Sequence, residues 1–280
     1  GEERETRLAV RRSGRELRAL IDGRAVSRAT ELARRLPVAL SLPVSTGLLE
    51  SGPRERRRLL DWVLFHVEPA YLPEWQAYHR LMRQRNAALR QEDAGIGLWE
   101  ARMGEAGERL DRLRAEAVAG VESEFAGLVD GVLPFTLSLQ YRRGWDAGRP
   151  LAEQLAARRR EDLSVGFSQV GPHRMDLGLR VDGRAASRVL SRGQAKLAVT
   201  ALIGACARCI GARSGRRPVC LVDDFGAELD SVHAVKLSNL LGRVGAQSFV
   251  TTTDEAHAAL WPAEARELFH VERGRVSGGC

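Results

Sequence analysis

The stretch from Leu190 to Asp230 constrains the fold of this chain more than any other. It opens on Ser191-Arg192-Gly193-Gln194 and continues as an apolar run from Ala195 to Gly211. A second apolar segment, Val219-Cys220-Leu221-Val222, stops on two acids, Asp223 and Asp224, and is followed by Ala227-Glu228-Leu229-Asp230. A Ser-x-Gly-Gln turn at a helix start offers unpaired backbone N–H groups and the positive end of the dipole, and glycine lets an anion come close. A buried strand that ends in a carboxylate sets an acid where magnesium bridges phosphates. The second acid is then placed to orient or activate water. Turn, helix, strand and acids in this order predict an α/β (α+β) fold with a mixed sheet and a phosphate-handling edge.

The remaining pattern is read in chain order. Leu8 to Ile21 alternates as a hairpin around Ser13-Gly14, followed by a short helix capped by Ser27 or Thr30 and a strand from Pro37 to Leu42. From Pro53 the period becomes helical, with Leu59, Leu60, Val63, Leu64 and Val67 on one face and Pro69 and Pro73 as breaks. A second helix carries Trp75, Tyr78, Leu81, Met82, Arg85 and Leu89, and a long polar helix runs from about Leu98 to Val129. Sheet returns at Phe135–Tyr141, then a helix with Arg158-Arg159-Arg160, a strand Met175–Val181, an Asp182-Gly183 turn and a strand back to Leu190. The end reads as a strand Gln247–Thr251 and a hairpin from Phe269 to Val276.

The net charge of +7 favours a polyanionic partner. Two arginine clusters, Arg54/Arg56/Arg57/Arg58 and Arg80/Arg83/Arg85/Arg90, read either as a solvated face or as phosphate contacts along DNA, with Arg56, Arg57, Arg83 and Arg85 as candidates. Aromatic residues among them are too sparse for a platform that stacks bases. Cys206 and Cys209 form a C-x-x-C without a second pair or histidine set, so they read as core residues rather than zinc ligands. No run is read as long enough to span a bilayer.

The turn-helix-strand set resembles the ABC/SMC-type ATPase head: signature loop, Walker B, then the Glu-Leu-Asp loop. Val170-Gly171-Pro172-His173-Arg174, Gly144-Trp145, the Gly52–Asp61 stretch and Arg83-Gln84-Arg85-Asn86 narrow it, and the chain resembles the RecF family of bacterial SMC-like recombination mediators. The resemblance implies a head in two parts, residues 1–52 and 132–280, with an inserted all-helical arm-like lobe at 53–131. It implies ATP and Mg²⁺ as cofactors, with Asp223 for magnesium and Asp224 for the attacking water. Ser191, Arg192, Gly193 and Gln194 would meet the γ-phosphate of an opposing head, and Asp230 would lie in the dimer seam. Ala227 stands where the family usually has Ser, which removes one hydrogen bond across that seam. Asp224 is one methylene shorter than the usual Glu, which fits slow turnover.

The implied role is an ATP-dependent homodimeric clamp on double- and single-stranded DNA, cytoplasmic, acting with RecR and RecO to load RecA during recombinational repair and the SOS response. The resemblance departs at one point: no Gly-x-x-x-x-Gly-Lys-Ser/Thr occurs, and the two lysines, Lys196 and Lys236, do not follow glycine. The expectation is a chain truncated before that loop, unable alone to hold ATP tightly or hydrolyse it. A DNA-binding remnant that lost the loop is the alternative, and an ABC transporter subunit is disfavoured by the helical insert and by Gly-Pro-His-Arg. His173 and Arg174 are expected to brace the signature loop or the seam.

Overall fold

The structure, a computed structural model, describes residues 6–14, 16–42, 46–216, 218–227, 229–262 and 265–278; Glu228 and Cys280 lie outside them. Strands β1 (Leu8–Ser13), β2 (Glu16–Ile21) and β3 (Arg24–Val26) form an antiparallel sheet. Helix α1 (Ala29–Arg35) follows, with Arg28 rather than Ser27 or Thr30 at its cap and no side-chain bond there. Strand β4 (Val38–Ser41) and the single turn α2 (Gly47–Glu50) lead to α3 (Pro53–Val67), which carries Pro at its start as expected. Helix α4 (Tyr71–Gln91) takes Pro73 into its first turn, where the missing N–H costs nothing, so Pro73 does not break the helix. Helix α5 (Ile96–Val129) is 34 residues long.

Strand β5 (Leu137–Arg142) precedes two short helices, α6 (Leu151–Ala157) and α7 (Arg159–Val165), in place of the single helix expected. Strand β6 (Asp176–Val181) pairs with β5 and with β7, which is only Arg184–Ala185. The chain then turns through Ala186–Arg188, so the strand expected to reach Leu190 ends early. Helix α8 (Arg192–Ser214), strand β8 (Val219–Val222), helix α9 (Ser231–Val244) and strand β9 (Gln247–Val250) complete the central unit. The turn α10 (Glu255–Ala258) and the hairpin β10 (Phe269–Glu272) and β11 (Arg275–Gly278) end it.

Strand β8 is the middle of a parallel sheet ordered β4-β8-β9. The pleat buries Ala39, Ser41, Cys220 and Val222 on the side that meets α8. Leu40, Leu221 and Phe249 share a row on the opposite side, where Leu40 and Phe249 are exposed. Helix α8 packs against α3, α5, α9 and β4, which is why it is apolar on every side. By length and composition it could cross a bilayer, contrary to the sequence reading, but 78% of that stretch is buried inside the protein. One apolar core runs from Leu60 and Leu64 through Leu110 and Val121 to Leu197, Ile210 and Leu237, so the helical segment and the sheets share it.

Candidate functional site

The signature turn is a capping box. Ser191 Oγ accepts from Gln194 N–H at 3.4 Å, and Gln194 Oε1 accepts from Ser191 N–H at 3.0 Å. Ser191, Arg192 and Gly193 stand at the start of α8, with Ser191 and Arg192 exposed and Gly193 buried. A Cβ on Gly193 would come within 3.2 Å of the His233 ring. That ring in turn lies 2.8 and 2.9 Å from the two Asp230 oxygens, and Asp230 also accepts from His233 N–H at 2.8 Å. These bonds from the His233 backbone and ring hold the Asp230 carboxyl below its usual range. Asp230 thereby caps α9 and steadies the histidine against the signature turn.

Asp223 and Asp224 follow β8 directly. Asp223 N–H donates to Ser41 O at 3.0 Å, which continues the sheet pairing one residue past the strand. Asp224 takes the left-handed backbone, φ +51°. One hydroxyl ties the pair together: Thr251 Oγ1 donates to Asp223 Oδ1 at 2.6 Å and accepts from Asp224 N–H at 2.9 Å. From the other side comes Lys196, one helical turn into α8 and 7% exposed. Its Nζ donates to Asp224 O at 3.1 Å, Phe225 O at 3.0 Å and Ala227 O at 2.9 Å. The signature helix and the acid loop are thus one hydrogen-bonded unit. Lys196 does not emerge from the sequence as a site residue, because it acts across a gap in the chain rather than within a motif; Thr251 does, in the Thr251–Asp254 loop whose resemblance implies a γ-phosphate sensor with Thr in place of the usual His.

Among the described residues no three His, Cys, Asp or Glu side chains cluster as a metal cage. Magnesium does not need one, since it is held by one or two carboxylates with water and substrate phosphates. Asp223 is exposed at the end of β8, which suits that mode. Cys206, Cys209 and Cys220 are buried free thiols, and burial pushes all three up from their ordinary pKa.

The four candidate phosphate-contacting arginines do not share a surface. Arg85 is fully buried and is corrected here from a DNA contact to a structural hub. It donates to Asp162 at 2.7 Å, Ser168 Oγ at 2.8 Å, Leu155 O at 2.9 Å and Glu100 at 3.2 Å. Arg56 bonds Asp176 at 2.7 Å and the carbonyls of Leu48 and Ser51, and Arg57 bonds Met175 O at 2.6 Å. Arg83 alone of the four is exposed, as are Arg80 on the same helix and Arg54 on α3.

The bonds of Gly171–Arg174 go to α4, to α5 and to the neighbouring loops at Ser168 and Gly144. His173 Nδ1 meets Tyr78 Oη at 2.8 Å and Nε2 meets Ser168 O at 2.9 Å, while Arg114 donates to Pro172 O at 2.7 Å. Burial lowers the His173 pKa to about 4.

No protein-family model matches the chain. The DNA replication and repair protein RecF of Thioalkalivibrio sulfidiphilus is 40% identical over 276 residues, covering 97% of this chain and 76% of that protein. Its namesake in Chromohalobacter salexigens is 41% identical over 277 residues, covering 96% and 77%. In Pseudomonas aeruginosa the match is 39% over 263 residues, covering 92% and 71%. The solved structure of the recombination mediator protein RecF with ATP superposes with a TM-score of 0.77 at 20% identity, over 95% of this chain and 73% of that one. The fold is therefore that of a RecF head, and with relatives this similar along almost its whole length the chain belongs to the RecF family.

Proposed function

We propose that the chain supplies one face of an ATP-dependent DNA clamp for recombinational repair. Ser191–Gln194 meets nucleotide held by an opposing head, Asp223 holds Mg²⁺, and Asp224 orients the attacking water. The supporting observation is the Lys196 link, which fixes the signature helix and the acid loop to each other. Nucleotide captured at one edge is then felt at the other, and hydrolysis can release the clamp. Residues 53–131 form the arm-like lobe of this reading, and the exposed Arg54, Arg80 and Arg83 supply phosphate contacts without reading bases. RecR and RecO, acting on RecA, are the partners that this role entails.

The test uses the chain joined to the phosphate-binding-loop segment of a relative. Asp224→Asn and Gln194→Ala variants should each be inactive as ATPases. Mixed in equal amounts, they should recover roughly a quarter of wild-type turnover, since half of randomly paired two-fold dimers contain one intact composite site. No recovery, from variants that still bind ATP and dimerise, would exclude a signature acting between heads.

A further inference from the structure

The Gly144-Trp145 and Gly171–Arg174 elements stand apart from the bonds that join Ser191–Gln194 to the acid loop, and the fold brings them together. Gly171 N–H donates to Gly144 O at 3.2 Å. Gly144 has φ +100°, and a Cβ there would lie 2.3 Å from Gly171 O, so no side chain fits. The two turns open on a groove of about 790 Å³ between themselves, the start of α3 and the middle of α5. Pro53, Ala115 and Trp145 contribute apolar surface, and Arg142, Arg143 and Arg174 contribute charge.

The carboxylates in the groove are recessed and already paired. Asp176, 8% exposed, takes Arg56 at 2.7 Å and Arg142 at 2.8 Å. Asp111, 12% exposed, takes Arg143 at 3.0 Å and the Tyr141 hydroxyl at 2.6 Å. Arg142, 58% exposed, and Arg174, also exposed, face the solvent, so the mouth of the groove is positive. Deeper in, the Arg143 guanidinium lies 3.9 Å over the Trp145 ring. Trp145 Nε1 and Arg143 Nε are buried and have no hydrogen-bond partner among the described residues.

We propose that this groove docks an acidic, partly apolar peptide segment of a partner protein. A carboxylate sits between Arg142 and Arg174, and an apolar side chain lies against Pro53, Ala115 and the Trp145 ring. A peptide suits the groove better than a phosphodiester strand. Its backbone N–H groups can use the remaining lone pairs of Asp111 and Asp176, whereas a phosphodiester offers only acceptors to those two carboxylates.

The probe is a fluorescein-labelled eight-residue peptide alternating Asp and Leu, followed by anisotropy in parallel with single-stranded and duplex oligonucleotides. Arg142→Glu/Arg174→Glu should weaken the peptide by more than about tenfold while leaving both oligonucleotides within about twofold. Arg174→Ala alone should weaken it on the order of fivefold. Circular dichroism checks that each variant is folded, and Arg174→Ala serves as the gentler probe if the charge reversal is not. Failure of the peptide to saturate, equal binding by wild type and variants, or loss of oligonucleotide binding with no effect on the peptide would each overturn the proposal.

Discussion

Replacing Lys196 with Met keeps most of the side chain's apolar stem and removes the charge and all three donors. The carbonyls of Asp224, Phe225 and Ala227 then lose their shared partner, and Phe225 O lies in a buried bond. A hydrogen bond from a charged donor is worth about 1.5–3 kcal/mol net, but three on one ammonium do not add, and Met also relieves the cost of burying the charge. The expected loss is therefore about 2–4 kcal/mol, below the simple sum. Urea unfolding should show a lower midpoint at unchanged slope.

The local readout is amide exchange at Phe225, Ala227 and Leu229, whose N–H groups bond Thr251 O, Asp224 O and Gly226 O in this loop. They should exchange at least about 30-fold faster, while amides in α5 change only as far as global stability does. A variant within about 0.5 kcal/mol of wild type, with unchanged exchange in the loop, would refute the view that Lys196 holds helix and acids together.

Arg85→Met should cost about 3–5 kcal/mol, because it leaves the fully buried Asp162 without its ion pair while Glu100 keeps Arg159, yet leave the salt dependence of DNA binding unchanged. Arg83→Ala should do the reverse, leaving the unfolding midpoint alone and reducing the slope of log affinity against log salt by about 0.9 in a DNA titration, if the side chain meets a phosphate. His173 has a folded pKa of about 4 against 6.5 for the free side chain, so the unfolded chain takes up its proton first as pH falls. Its contribution is complete above pH 6.5 and disappears on the way down to about 4, on the order of 3 kcal/mol at most. His66 is lowered to about 4 by the same cause, so the difference between wild type and His173→Gln, followed by denaturation across that window, isolates the contribution of His173. Parallel pH profiles would show that His173 is not the group involved.

The parts of this protein that were legible in the sequence are those whose residues act on near neighbours. Ser191 and Gln194 cap one turn, β8 runs directly into its acids, and Pro53 starts its own helix. Partners distant in the chain were not legible: Lys196 reaches carbonyls 28 to 31 residues away, and Thr251 bonds acids 27 and 28 residues away. Arg85 is a different case, since its fate was encoded locally. Two residues along a helix rotate a side chain by about 200°, so Arg83 and Arg85 cannot share a face. Arg85 falls in line with Tyr78 and Leu89, both buried, and that alignment outweighs its membership in a cluster of like charges.

The left-handed backbone at Asp224 has a consequence for how this position can vary. Residues without a short polar side chain meet a steric cost of about 1–2 kcal/mol in that conformation. Of the five non-glycine residues described with positive φ, three are aspartates, Asp22, Asp182 and Asp224. Exchange for glutamate would lengthen the acid and also strain the turn that Thr251 and Lys196 hold in place. In this chain the main chain at residue 224 thus favours aspartate over glutamate, quite apart from what the carboxylate at its tip does.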